Sequence, residues 1–418
     1  MRARSLLLLF APVLYCSTLG ALTLDEAIST ALHKSPALKI IERKGEDAHF
    51  NRKAKKGAAL GKVELVGSYT SYNLPRTLAP IVPPITPGIV SSKNISSVGA
   101  KYEVSVFSGF ADLRSIEIAS IGTKIAESDY ALGKEELLYN VKSLFFKILS
   151  LKDMQNSTKL YLKALKKLRD DVAKESELGK KAPVDLLKVE SDLQEAVYNL
   201  KSLKEAVKSL KAKLASLMGV ETIDDPVESG FEPVEMDDLS DIKRNYLYKR
   251  ASLEVAKSAK GVQKAKALYY PKVLLNAYYG KNYGSGESEE LWQTGLNLAF
   301  PIFDFGVRSA QKQRAEIANQ IAKLKLENTL LQLQSDIAKA KGDISSAEAK
   351  VSAQRKRVEL LEKIKIAERV KYEKGASDIY DLLYAEAKLM SAKSSLSEAI
   401  YDLRVKREYL KYILAGER

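Results

Sequence analysis

Side chains able to do covalent or metal chemistry are sparse in this chain, which holds two histidines, His33 and His49, and a single cysteine, Cys16. The histidines lie 16 residues apart (49 − 33) in one helical stretch, so they are not neighbours on a helix face and make no metal site. No nucleophile motif or phosphate-cradling loop accompanies them, which points away from an enzyme and from any cofactor. The notable acids are Asp185 and Asp381, at matching positions of a stretch that occurs twice, Glu177–Leu217 and Glu373–Ile413. Gly179/Gly375, Asp185/Asp381, Leu186/Leu382, Leu187/Leu383 and Glu190/Glu386 all pair at a separation of 196 (375 − 179). Acids gathered around a pore end select for cations and repel one another unless donors balance them. Acids in the first turn of a helix are also favoured by the helix dipole alone, and both readings stand.

The element that positions each acid is a turn followed by a helix. A glycine ends one helix, Pro183 or Asp378 opens the next, and an apolar heptad runs on. Leu186, Leu193, Leu200, Val207 and Leu214 form one row, with Val189, Ala196, Leu203, Leu210 and Leu217 beside it. Leu382, Leu389, Leu396, Leu403 and Leu410 repeat it, with Ala385, Ala392, Ala399 and Ile413 and one break at Lys406. Such a seam means helices supercoiled on their neighbours.

Bulk properties agree with one duplicated architecture: 418 residues, 45% hydrophobic and 29% charged, is neither a disordered chain nor a helical membrane protein. The net charge of +14 is spread among acids along helices such as KKLRDDVAKESELGKK, as solvated coiled-coil faces are, and does not imply a nucleic-acid partner. The first 20 residues, MRARSLLLLFAPVLYCSTLG, have a basic start, an apolar core and small residues at the end, the pattern of a secretory signal. Lipidation of Cys16 is the alternative, disfavoured by the bulky Tyr15 before it. No later apolar run approaches the roughly 20 residues of a membrane-spanning helix, so any crossing is made by strands.

In order, the pattern predicts a helix over 24–60 with a break at Pro36 and Thr23 as its cap, then a period-2 strand over 62–72. The proline-rich stretch 73–97 reads as a loop without ladder hydrogen bonds, followed by a strand over 98–106. A long helix to Leu178 follows the FSGF turn at Phe107–Phe110, and the return helix runs to Met218. After a linker, a helix from about Leu239 to Leu268, strands over 272–282 and 291–300 around a short acidic loop, the PIFDFG turn and a second long helix repeat the plan. The organisation expected is thus a signal peptide at 1–20, a first repeat at 21–220, a linker at 221–238 and a second repeat at 239–418, the repeats forming together one domain.

The strands have one apolar face carrying aromatics, with Tyr69, Tyr102, Tyr279, Trp292 and Phe300 as a membrane belt, and one polar face. Four strands cannot enclose a lumen, since about eight are already filled by side chains; three copies supply twelve. Head-to-tail closure then makes a cyclic homotrimer in contact with outer-membrane lipid. The fold class expected is mixed α and β, mostly α: long antiparallel coiled-coil helices forming an α-barrel, continuous with a transmembrane β-barrel.

The order, duplication and spacing of LTLDEAISTAL, SPAL, YYPKVLLNAYYG, PIFDFG and the paired turns with VDLLKVE and YDLLYAE resemble the TolC family of outer-membrane efflux proteins, across essentially the whole mature chain. Gly61 departs from the pattern, standing where the family has the proline found here as Pro271. The resemblance implies a passive trimeric export duct in the cell outer membrane with a long periplasmic extension. A periplasmic adaptor (membrane fusion) protein and an inner-membrane pump would open it. It further implies that Asp185 and Tyr372 link across helices and that Asp381 lines the constriction. Ser377 stands where some relatives carry a gating arginine. The turn residues Gly179, Lys180, Lys181, Gly375, Ala376 and Ser377 would be adaptor-contact tips, although hairpin chemistry alone would also place them there. The rival reading is a secreted coiled-coil structural or adhesive protein, which accounts for the heptads but not for four two-faced strands.

Overall fold

A computed structural model describes residues 21–81, 89–228 and 242–416. The expected signal segment, Cys16 within it, part of the proline-rich stretch and most of the linker lie outside the described residues. The chain runs α1 (Leu24–Lys34), α2 (Pro36–Ala59), β1 (Lys62–Thr77), β2 (Ser91–Phe107), α3 (Ala111–Glu177), α4 (Pro183–Met218), α5 (Tyr246–Lys266), β3 (Lys272–Gly284), β4 (Glu287–Ala299), α6 (Val307–Glu373) and α7 (Ile379–Leu414). The bounds of α3 and α4 recur in α6 and α7 at the 196-residue separation (307 − 111 and 379 − 183).

Local chemistry sets the helix boundaries. Thr23 caps α1 in a capping box with Glu26, and Ser35 leaves the helical region, so that Pro36 begins α2 where its missing N–H costs nothing. Of the helix expected from about Leu239 to Leu268, the described part is α5, Tyr246–Lys266. Asn245 accepts hydrogen bonds from the backbone N–H groups of Leu247 and Tyr248, and this cap places the first turn at Tyr246.

The strands form one antiparallel sheet in the order β1-β2-β3-β4, and the central β2–β3 pairing joins the two halves of the sequence. The loop expected over 73–97 is shorter than its prolines suggest, for β1 continues to Thr77 and β2 begins at Ser91. Pro75 is tolerated because β1 is at the edge of the sheet and the register breaks between Ser71 and Arg76, so no ladder bond needs its nitrogen. The second hairpin turns on Ser285 and Gly286 alone, both with positive φ, so most of the acidic loop is strand. Register gathers Leu65, Ala100, Tyr279 and Trp292 in one row of the apolar face. On the other face Lys62 pairs with Glu103 and Glu64 with Lys101.

The chain forms two compact units, each drawing on both halves of the sequence. One contains α1, α4, α7 and the second parts of α3 and α6; its core includes Val141, Phe145, Phe146, Ile148, Leu382, Leu410 and Ile413. The other contains α2, α5, the sheet and the first parts of α3 and α6. Among the described residues no helix is long and apolar enough to cross a membrane.

Candidate functional site

The two turns close their helices in the same way. At the end of α3, Lys180 N–H donates to Glu175 C=O (2.8 Å) and Gly179 N–H to Ser176 C=O (3.0 Å); at the end of α6, Ala376 donates to Lys371 and Gly375 to Tyr372 at the same distances. Gly179 and Gly375 have φ of 68° and 70°, the left-handed geometry this closure requires, and a side chain there would be strained. The restarts differ. Pro183 opens α4 with no side-chain cap, whereas Asp378 accepts from Tyr380 N–H (3.1 Å) to cap α7.

Both turns rest on one apolar cluster of Leu165, Val172, Val189, Ala196, Ile379 and Leu383, with Leu186 and Tyr372 packed against it. Beside it, Lys181 of the first turn and Lys188 of α4 reach aromatic rings at the end of α6 and the start of α7. Lys188 Nζ donates to Asp185 Oδ1 at 3.2 Å and lies 3.7 Å from the centre of the Tyr380 ring, while Lys181 Nζ lies 4.1 Å from that of Tyr372. Cation–π contacts of this kind contribute about 0.5–1 kcal/mol each at partly exposed sites.

Asp185 is therefore joined to Lys188 rather than to Tyr372. The Tyr372 hydroxyl is buried without a hydrogen-bond partner, as is the Ser377 hydroxyl. Burial first, and then the carboxylates of Glu175, Asp185, Asp171 and Asp378, push the Tyr372 phenol up to about 12. Asp381 is exposed in the first turn of α7, and Lys180, Gly375 and Ala376 are exposed on the turns.

One functional-looking group escaped the sequence reading. Glu386 was visible as half of a repeated pair, yet only 4% of its side chain is exposed, and it accepts from Arg369 at 2.7 Å with Lys365 at 3.8 Å. Its matching residue Glu190 is exposed. The signal was its place between Leu382 and Leu389 at i+4 and i+7 on the heptad face, where a charge must find a partner.

Tyr69, Tyr279 and Trp292 of the sheet and Phe300 just after β4 are exposed, and Tyr279 pairs directly with Trp292. Tyr102 is half-buried, and its hydroxyl donates to Leu60 C=O at 2.8 Å. Among the described residues no group of His, Cys, Asp or Glu is placed to hold a metal.

Comparison places this arrangement. Residues 242–416 match a family model described as outer membrane efflux protein. The chain is 23% identical over 343 residues, 78% of its length and 71% of the relative's, to a nodulation protein T of Rhizobium leguminosarum bv. viciae. Its fold superposes on the outer membrane protein VceC of Vibrio cholerae with a TM-score of 0.81 and 18% identity, covering 94% of this chain and 96% of that one. The Campylobacter jejuni CmeC outer membrane channel gives a TM-score of 0.82 at 15% identity, covering 94% and 85%. The fold is the mostly helical one with one small sheet that these outer membrane proteins share. The chain resembles the outer membrane efflux proteins, and its relatives by fold are channels, not enzymes.

Proposed function

We propose that the protein is a passive export duct of the outer membrane, a homotrimer whose twelve strands form a barrel and whose helices continue its lumen into the periplasm. One observation carries the reading: a four-stranded sheet with an apolar, aromatic face and a polar face, too narrow to close alone, feeds helices that share the fold of outer membrane efflux channels. Small molecules, ions or proteins would pass without chemistry by the duct, and a periplasmic adaptor and inner-membrane pump would supply the energy and the opening.

In this reading the paired turns are the periplasmic entrance. Asp381 contributes to a ring of carboxylates, and Lys188 and Lys181 staple the first turn onto Tyr380 and Tyr372 of the second. Membrane fractionation and unboiled gel migration test the duct itself, because a soluble monomer would end it. Planar-bilayer conductance tests the entrance: Asp381→Ala is expected to weaken cation selectivity and Lys188→Met to raise the open fraction. Unchanged selectivity and unchanged opening would remove these residues from gating. Adaptor docking at the first turn is tested by Lys180→Glu with Lys181→Glu, since a complex that still forms would count against it.

A further inference from the structure

The polar face of the sheet has a notch where side chains are missing. Gly99 of β2 stands directly opposite Gly280 of β3, in the pairing that joins the two halves of the sequence. A glycine inside a strand weakens it and often marks a place where something else approaches closely. Two things do so here. The strand backbones draw together, so that a Cβ at Gly280 would lie 2.5 Å from Val98 C=O and one at Gly99 would lie 2.6 Å from Tyr279 C=O. The side chain of Tyr278 fills the space that remains: a Cβ at Gly99 would lie 2.7 Å from its ring atoms Cε2 and Cζ, and one at Gly280 would strike its phenol oxygen.

These contacts fix how the ring lies. Side chains of a strand stand roughly perpendicular to the sheet, and a tyrosine in that posture holds its hydroxyl far from the backbone. Here the hydroxyl reaches the spot where a Cβ of Gly280 would be, one bond from the main chain, so the ring lies along the sheet from position 278 to position 280 and across onto β2. Tyr278 is half-buried and Gly280 is buried. The other repeat has no such arrangement. Lys62 matches Lys272 at a separation of 210 (272 − 62), so Tyr278 is matched by Ser68 (278 − 210). Gly99 is matched by Gly295 (295 − 196), where a Cβ would meet nothing within 4 Å.

We infer that Tyr278 sets the bore of the duct, and that positions 99 and 280 are glycine because this ring must lie in the wall. The inference rests on the reading of the protein as a duct, which makes the polar face the lining of its lumen. A cyclic trimer carries three copies of Tyr278 at one height. Lying on the wall, the three rings leave the lumen to the cargo. Standing out from it, they would converge toward the axis and exclude large solutes whatever their charge, since pore-lining side chains set the width of a channel. The recumbent ring also covers both glycines and restores the packing surface they lack, as aromatic residues do for glycines elsewhere in sheets. Lys101 and Gln293 stand directly opposite Tyr278 on its two sides, so the ring is bordered by polar groups along that row.

The test reads how large a molecule can pass the ring from outside. Asn276 lies on the same face of β3, two residues from Tyr278 on the side away from the β3–β4 hairpin. Cells producing the full chain with Asn276→Cys are treated with a small maleimide and with polyethylene glycol maleimides of graded size, and the largest that labels this parent chain is the probe. Tyr278→Phe keeps a ring that fits the notch and should label as the parent does. Tyr278→Trp is too large for the notch yet leaves both glycines in place; it should slow the probe about tenfold and leave the small maleimide unaffected. Gly99→Ala should act like Tyr278→Trp, and adding Tyr278→Ala to it should restore the rate, because no ring is left to displace. Tyr278→Ala alone should change the rate by less than about twofold, since a ring on the wall takes up little of the lumen. A many-fold gain with Tyr278→Ala would mean that the ring stands in the lumen and would overturn the inference. So would an unchanged rate in both Tyr278→Trp and Gly99→Ala, with the unboiled oligomer present in each. Either result leaves the duct intact, whereas a parent chain that runs as an unboiled monomer, or that no maleimide labels, would overturn the duct reading itself.

Discussion

At the scale of single residues, buried charge decides more than the acids beside the turns. Glu408, 4% exposed, is held between Lys142 at 2.7 Å and Lys411 at 2.6 Å. Burial opposes its ionisation, but the two lysines outweigh it and keep its carboxyl below the ordinary 4.5. Its contribution is therefore present above that value and lost as pH falls through the lower folded value. Glu408→Gln is expected to cost about 3 kcal/mol at neutral pH, because both lysines are left half-buried and unpaired, and to cost progressively less in acid. Thermal unfolding of the detergent-solubilised protein across pH checks both parts. Asp192 has the opposite sign: burial, then Glu195, raise its carboxyl above 3.8, so the ionised form is disfavoured in the fold. Asp192→Asn should raise the melting temperature at pH 7, and the gain should fade as the pH drops through the raised folded value and vanish below 3.8. A melting temperature unmoved at pH 7 would contradict that assignment.

At the scale of elements, duplication in sequence is not equivalence in packing. Leu187 and Leu383 match at the 196-residue separation, yet one is 64% exposed and the other 3%. Leu383→Ala is expected to destabilise the chain by about 3 kcal/mol and Leu187→Ala by about 0.5 kcal/mol or less in the monomer, a contrast that denaturant titration would resolve. The turns obey local rules instead. Nothing approaches Gly375 within 4 Å, so Gly375→Ala meets no clash and should cost only the left-handed backbone, about 1 kcal/mol in the same titration. Turn chemistry was legible in sequence for this reason: Gly179, Gly375, Pro183 and Asp378 act within a few residues of themselves. The extent of β1 was not, because whether Pro75 breaks a ladder depends on whether a partner strand lies on its N–H side.

At the scale of the whole molecule, α2 and α6 carry exposed apolar residues and the sheet has two open edges, the surfaces that the proposed duct would cover when copies of the chain come together. If the seam between copies is apolar, the unboiled oligomer should persist in high salt, where screening weakens surface ion pairs but not apolar burial. Dissociation by salt alone, read on an unboiled gel or by light scattering, would instead assign the seam to charge pairs. The basic excess of the chain takes no part in this, for its lysines are spread along helices and many already pair with acids of the same helix, as Lys363 does with Glu359.

The sequence by itself determined the duplication, the order of strands and helices, the boundaries near Thr23, Pro36 and the paired turns, and the two-faced strands. All of these are set by periodicity or by residues that act on their immediate neighbours. Tertiary structure alone decided which copy of each repeated residue is buried, that Asp185 bonds Lys188 while Tyr372 lies under Lys181, and that Glu386 is sunk among leucines with Arg369 as its partner. The reason is physical: two similar stretches of sequence pack against different neighbours in the folded chain, and neighbours set burial, pairing and charge.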